Sequence, residues 1–211
     1  VVKAHPAHPA TSRDTARVVT EALAAAGAPP GVFGIVFGTA AGIGLVRHPA
    51  ITAVGFTGSI GGGRALFDLA NGRPDPIPFY GELGSVNPVV LLPGAAAQRP
   101  GELAAGFTQS ITLGVGQFCT NPGLLFAPSS IVDDLATAFG ASTGGVMLTE
   151  RMRDAYRSGV DGLAAGGARV IAEGTAPEGS WSVAPRLFQV SLDTFRAQRD
   201  KLTEEHFGPT G

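Results

Sequence analysis

Gly55-Phe56-Thr57-Gly58-Ser59-Ile60-Gly61-Gly62-Gly63 decides the fold class of this chain. It completes an apolar run, Ile51 to Phe56, that reads as a strand, and it opens a helix extending to about Ala70. A strand that turns through glycines into a helix is the building unit of an α/β fold. At such a turn the exposed amide N–H groups and the helix dipole attract a phosphate. The spacing differs from G-x-G-x-x-G, and a glycine cluster alone is more often just a tight turn.

The same alternation continues on both sides. Upstream, Val1 to Ala4 is predicted as a short buried strand. A helix follows, capped by Thr11 or Ser12, with an apolar face of Ala16, Val19, Leu23 and Ala26 and an end at Gly27. The Pro29-Pro30-Gly31 turn then leads to a strand over Val32 to Phe37 and a short helix from Gly42 to Arg47. Downstream, strands are expected at Ile77 to Tyr80, Asn87 to Leu92, Leu124 to Ala127, Ala168 to Ala172 and Ala184 to Phe188, with helices at Glu102 to Leu113 and Glu150 to Ala165. This order predicts an α/β fold with a mainly parallel sheet and a second α/β unit. The motifs divide near Gly84, so residues 1–84 and 85–211 are the expected domains, with a cleft between two lobes as the expected site.

Composition narrows the function. With 44% apolar residues the chain can build one large core or two small ones. Fifteen basic against 17 acidic side chains leave no electrostatic footprint for nucleic acid or an anionic membrane, so small molecules and copies of the chain itself are the expected partners. A single cysteine cannot form an internal disulfide, and a reduced cytoplasm is the expected location. No apolar stretch reaches the ~20 residues of a membrane span, and Val1-Val2-Lys3 does not read as a signal peptide. The opening without methionine and the ending at Phe207-Gly208-Pro209-Thr210-Gly211 read as the limits of a fragment.

The chemistry is carried by Gly116-Gln117-Phe118-Cys119-Thr120-Asn121-Pro122-Gly123 and by Gly81-Glu82-Leu83-Gly84. A thiol that can be acylated, with a carboxylate able to activate water, is the minimum equipment for covalent chemistry through a thioester. A lone cysteine is most often a buried small hydrophobe, but Gly116, Asn121, Pro122 and Gly123 describe an irregular loop, where reactive residues tend to sit. Glu82 alone could equally be a solvated turn acid. His5 and His8 flank Pro6, yet with one distant cysteine no metal site is expected. Glu204-Glu205 could be an exposed helix end. Trp181 and the phenylalanines are expected in the core, and Arg151 and Arg153 on a solvated helix face beside Glu150 and Asp154.

Taken in order, Lys3, the Gly-Phe-Thr-Gly-Ser turn, Gly81-Glu82-Leu83-Gly84, Gly-Gln-Phe-Cys and Glu204-Glu205-His206-Phe207-Gly208-Pro209 resemble the aldehyde dehydrogenase superfamily. Val2-Lys3-Ala4-His5-Pro6, Gly84-Ser85-Val86-Asn87-Pro88 and Phe118-Cys119-Thr120-Asn121-Pro122-Gly123 are most similar to its 2,5-dioxopentanoate (α-ketoglutaric semialdehyde) dehydrogenase branch. The resemblance implies part of a Rossmann-like NAD(P)-binding domain over residues 1–84, followed by an incomplete α/β catalytic domain over 85–211. It implies Cys119 as the nucleophile attacking an aldehyde, a hydride passed to NAD(P)+, and Glu82 as the base that hydrolyses the thioester. Lys3 would hold the adenosine ribose, Gly58, Ser59 and the turn to Gly63 the pyrophosphate, and Thr57 would lie near the nicotinamide. Glu205 would bind the nicotinamide ribose and Phe207 would pack beside the ring. The family's second oxyanion donor, the first part of its nucleotide-binding fold, most of its oligomerisation segment and its C-terminal tail have no counterpart here, and the parent is expected to be a homodimer or homotetramer.

Pro6 stands about where NAD-preferring members carry an acid against the ribose 2'-hydroxyl, which admits a 2'-phosphate. The loop Gly38 to Gly44 offers it no arginine or lysine, and Arg47 is the nearest basic candidate. NADP is thus expected ahead of NAD. Two alternatives remain open: a coenzyme A-acylating enzyme, against which Glu82 argues, and a non-catalytic nucleotide-binding remnant of the same fold. The distal end of the substrate has no assigned partner, with Phe118 as a candidate pocket wall and Arg186 as a conceivable carboxylate partner.

Overall fold

The computed structural model describes residues 1–211, which form two compact units, Val1–Gly84 and Ser85–Gly211. This boundary coincides with the division expected at Gly84.

The first unit contains β1 (Val2–Lys3), α1 (Pro9–Ala25), β2 (Ile35–Val36), α2 (Thr39–Arg47), β3 (Val54–Gly58), α3 (Ile60–Asn71) and β4 (Phe79–Leu83). Strands β1 and β2 pair in parallel across α1, and β3 and β4 pair in parallel across α3. Parallel neighbours require a crossover of this kind, so the sequence order dictates the pairing.

Local chemistry sets the helix ends. Ser59 caps α3, its hydroxyl accepting from the Gly62 N–H at 3.3 Å. Helix α1 starts earlier than Thr11 because Pro9, with its fixed φ, occupies the first turn and His8 takes the cap position. Its buried side carries Ala16, Val19 and Leu23, whereas Ala26 is exposed beyond the last turn. Gly27 closes it in the left-handed region at φ 72°.

Three expectations for this unit are corrected. Val1 and Val2 are exposed and only Ala4 of that segment is buried. The second strand shrinks to Ile35–Val36, with Val32 and Phe37 on the surface. The third strand begins at Val54 because Arg73 donates to the carbonyls of Ile51 (2.9 Å) and Val46 (3.1 Å), holding Ile51 in a turn.

The second unit contains β5 (Pro88–Val90), α4 (Pro93–Gln98), α5 (Pro100–Thr112), β6 (Leu124–Phe126), α6 (Val132–Gly140), β7 (Gly145–Val146), α7 (Glu150–Ala165), β8 (Arg169–Glu173), β9 (Ser182–Val183), β10 (Arg186–Gln189), α8 (Leu192–Ala197) and α9 (Arg199–Leu202). Its core is Ala104, Ile111, Ile131, Leu135, Phe139 and Leu187. A second cluster of Met147, Tyr156, Val160 and Val183 lies under α7. Strands β5 and β6 pair in parallel, but β7 with β9 and β8 with β10 run antiparallel, which corrects the mainly parallel expectation here. No helix separates β8 from β10, so no parallel crossover is available.

Trp181 and Phe118 are exposed, against their expected place in the core. Arg153 is largely covered, with Glu150 at 3.1 Å, Asp154 at 2.6 Å and the Ser180 carbonyl at 2.6 Å, so its face of α7 is not simply solvated. No helix is long and apolar enough to cross a membrane.

Candidate active site

The cysteine loop starts from an unusual backbone. After α5, Gly114, Val115 and Gly116 have φ values of 56°, 61° and 66°. Glycine tolerates this region, but for β-branched Val115 it is an outlier whose strain the surroundings must offset. Its side chain packs on the Met147 and Tyr156 cluster and against Gly145, where a Cβ would lie 2.6 Å from Val115 Cγ2. Gly116 is constrained twice, by its φ and by the Gly208–Pro209 backbone, which fills the place of a Cβ.

Beyond this kink, Cys119 is exposed on a turn. The buried small hydrophobe reading therefore does not apply. Side-chain amides hold the turn from within. The Asn121 Nδ2 donates to the Gly116 carbonyl (3.0 Å) and the Gly208 carbonyl (3.1 Å). Asn87 Nδ2 donates to the carbonyls of Cys119 (2.8 Å) and Asn121 (3.0 Å). The Ser85 hydroxyl donates to the same Cys119 carbonyl at 2.5 Å. Gln117 is anchored as well, its Oε1 accepting from the Leu148 N–H at 3.0 Å. The main chain of the loop is thus fixed while the thiol stays accessible.

Glu205 joins this network, its Oε1 lying 3.3 Å from Ser85 Oγ. It is exposed, but it is tied to the cysteine loop and is not merely a frayed helix end. Its neighbour His206 points inward against Gly159, its Nε2 buried without a partner, and burial lowers its pKa below the usual 6.5 against an opposing effect of Glu204. Phe207 is half-buried. The following Gly208 lies on the Tyr156 ring, and the Tyr156 phenol is shared between the carbonyls of Ala184 (3.0 Å) and Pro209 (3.1 Å). Burial pushes that phenol well above its ordinary pKa. Ser85, Phe118, Glu205 and Phe207 line one cavity of about 100 Å³.

The first unit gathers the other expected residues. Thr57 and Glu82 are register partners in the parallel β3–β4 ladder, so both exposed side chains emerge from one face near its carboxyl end. Gly58 and Ser59 lead directly into α3. At Gly61 a Cβ would meet nothing within 4 Å, which leaves the helix N-terminus open to an anion. Gly63 serves differently: it is buried, and a Cβ there would overlap Leu83, so its role is to let α3 approach β4. Lys3 ends β1 with its stem over Gly42. Close by, His5 and His8 stack at 4.9 Å. Burial first, then the charges of His8 and Lys3, lower the His5 pKa. Within the first unit, the open N-terminus of α3 and Lys3 at the end of β1 are chemically suited to a phosphate-bearing ligand.

Ser85, Asn87 and Asn121 received no individual role from the sequence. The signal was there, since all three stand inside motifs already singled out. Arg186, a conceivable substrate partner, is instead engaged by Glu173 (3.4 Å) and Asp161 (3.6 Å).

Residues 1–210 match the profile of the aldehyde dehydrogenase family. The chain belongs to that family. It is 46% identical over 217 residues to alpha-ketoglutaric semialdehyde dehydrogenase 2 of Azospirillum brasilense, covering 99% of this chain and 41% of the relative. Against the alpha-ketoglutaric semialdehyde dehydrogenase of Acinetobacter baylyi it is 41% identical, with 99% and 41% covered. Among solved structures, proline utilization A of Bradyrhizobium japonicum superimposes with a TM-score of 0.83 at 26% identity over 100% of this chain and 22% of that one. A NAD-dependent benzaldehyde dehydrogenase of Corynebacterium glutamicum gives 0.72 at 26% identity over 92% and 42%. The chain spans 41% of the length of the two semialdehyde dehydrogenases.

Proposed function

We propose that the protein oxidises a small semialdehyde, of the 2,5-dioxopentanoate type, to its carboxylic acid with NADP+ or NAD+, through a thioester on Cys119. The observation that carries this reading is an exposed thiol on a loop whose main chain is locked by Ser85, Asn87 and Asn121, with the exposed Glu205 tied to the same loop through Ser85. Identity above 40% to two semialdehyde dehydrogenases supports the substrate class.

In this mechanism the Cys119 sulfur adds to the aldehyde carbon, and the Cys119 main-chain N–H is one donor to the resulting oxyanion, a contact typically worth roughly 2.7–4 kcal/mol in the transition state. The bound dinucleotide supplies the hydride acceptor. Glu82 takes a proton from the water that hydrolyses the acyl-cysteine, releasing the acid and the thiol. Glu205 and Phe207 orient the nicotinamide end with Thr57 near the ring, while Lys3 holds the adenosine ribose and Gly58 and Ser59 the pyrophosphate. The Lys3, His5 and His8 cluster, with Pro6 in place of an acid, supports NADP over NAD. We propose a cytoplasmic homo-oligomer acting on small molecules.

The test is nucleotide reduction with 2,5-dioxopentanoate and a panel of simple aldehydes, for the wild type, Cys119→Ala and Glu82→Ala. Turnover that Cys119→Ala abolishes is the expected result, with acyl-enzyme accumulating in Glu82→Ala. Nucleotide binding without reduction of any kind would sink the enzyme reading.

A further inference from the structure

We propose that Ser85 is a positioning residue that couples occupancy at Glu205 to the hold on the Cys119 main chain; this rests on the reading of Glu205 as a dinucleotide contact. Ser85 follows the left-handed Gly84, at φ 62°, and its Oγ faces two acceptors, the Cys119 carbonyl at 2.5 Å and Glu205 Oε1 at 3.3 Å. A hydroxyl carries one proton, and neither a carbonyl nor a carboxylate oxygen can supply another. Donation to one neighbour therefore excludes donation to the other. The shorter distance puts the proton on Cys119, and the carboxylate competes for it across the longer gap.

When ribose hydroxyls satisfy the Glu205 oxygens, that competition ends and Ser85 stays on the cysteine loop. When Glu205 is free, the hydroxyl divides its time, and the Cys119 carbonyl keeps only the Asn87 amide, itself shared with the Asn121 carbonyl. Cofactor occupancy at Glu205 would thus tighten the turn that carries the nucleophile before an aldehyde arrives. The cycle of contacts lies wholly within Ser85–Gly211.

Cys119 is the sole thiol of the chain, so its alkylation by iodoacetamide reads the loop directly. The experiment is a double-mutant cycle on that rate with Ser85→Ala and Glu205→Gln. Ser85→Ala should raise the rate roughly two- to tenfold, the range expected for one lost hydrogen bond. Glu205→Gln, a weaker competitor, should lower it in the wild-type background and leave it unchanged beside Ser85→Ala. Ser85→Thr, which keeps the hydroxyl, should restore wild-type behaviour, a rescue that a merely structural role for the serine would not show. Saturating NADP+ should slow alkylation in the wild type and not in Ser85→Ala, with association followed separately by calorimetry. A Glu205→Gln effect of equal size in both backgrounds, or of none in either, overturns the coupling. The cycle needs neither nucleotide nor aldehyde. If NADP+ fails to bind while the cycle is non-additive, the cofactor reading falls and the coupling stands. If the enzyme turns over while the cycle is additive, the coupling falls and the cofactor reading stands.

Discussion

Replacing Asn121 tests how the Cys119 loop is held. Its amide nitrogen donates to the carbonyls of Gly116 and Gly208, two buried residues 92 positions apart in the chain, while its own Oδ1 is buried without a partner. Asn121→Ala removes two hydrogen bonds, each worth about 0.5–1.5 kcal/mol net, but also removes the desolvated Oδ1, so the expected loss is about 1–3 kcal/mol. Asn121→Asp is nearly the same size and should be worse, because an acceptor then faces two carbonyls in a partly buried place. The aspartate's folded pKa would rise above its unfolded value of about 3.9, since burial and the carbonyls disfavour the charge. Its penalty relative to alanine should therefore shrink as pH falls through the folded pKa, where a protonated carboxyl can donate to one carbonyl. Urea unfolding of the three proteins at neutral and acidic pH measures this. An aspartate variant as stable as the alanine variant at neutral pH would refute the donor role of Asn121.

Other expectations follow from the same geometry. Gly116→Ala should cost more than the ~1–2 kcal/mol of a left-handed alanine, because the Gly208 backbone occupies the Cβ position. Gly106→Ala, in the interior of α5 where a Cβ meets nothing, should gain up to about 1 kcal/mol; thermal melts of the pair decide between them. His206 has its pKa lowered by burial, so the unfolded chain protonates first and stability should fall as pH drops below 6.5 towards the folded pKa. Unfolding free energies for the wild type and His206→Gln between about pH 7.5 and 5 should diverge in slope, and parallel curves would contradict this. The His5 and His8 pair should favour NADP+ over NAD+ more strongly as pH falls, because a 2'-phosphate stabilises their protonated forms. Calorimetric affinities for both nucleotides, with His8→Gln, check it; a pH-independent ratio argues against the pair.

The legible parts of the fold were those set by neighbours in sequence. Helix α7 has the predicted ends because Thr149 caps it, accepting from the Met152 N–H at 3.2 Å. Helix α3 opens where Ser59 and the glycines say it should. Misplaced ends have distant causes. Arg73 reaches back 22 residues to hold Ile51 out of β3, and no local pattern announces that bond. Antiparallel pairing of β8 with β10 was legible in principle from the missing crossover helix, but short strands of mixed burial obscured it.

The candidate site divides in the same way. Cys119, Glu82 and Glu205 stand out only through the ordered motifs that contain them, each having a common bland use alone, whereas Ser85, Asn87 and Asn121 are ordinary polar residues whose work appears only when bonds spanning 32, 34 and 87 positions close. Their common target is the main-chain carbonyl. In a loop that leaves helical geometry through three left-handed residues, neighbouring N–H groups reach the carbonyls of Gly114, Phe118 and Asn121, while those of Gly116 and Cys119 take side-chain donors instead. Each such donor is then a point where another part of the chain can act on the backbone of the Cys119 loop. Ser85 has one proton and two acceptors within reach, and it is the only one of the three whose donation a carboxylate contests.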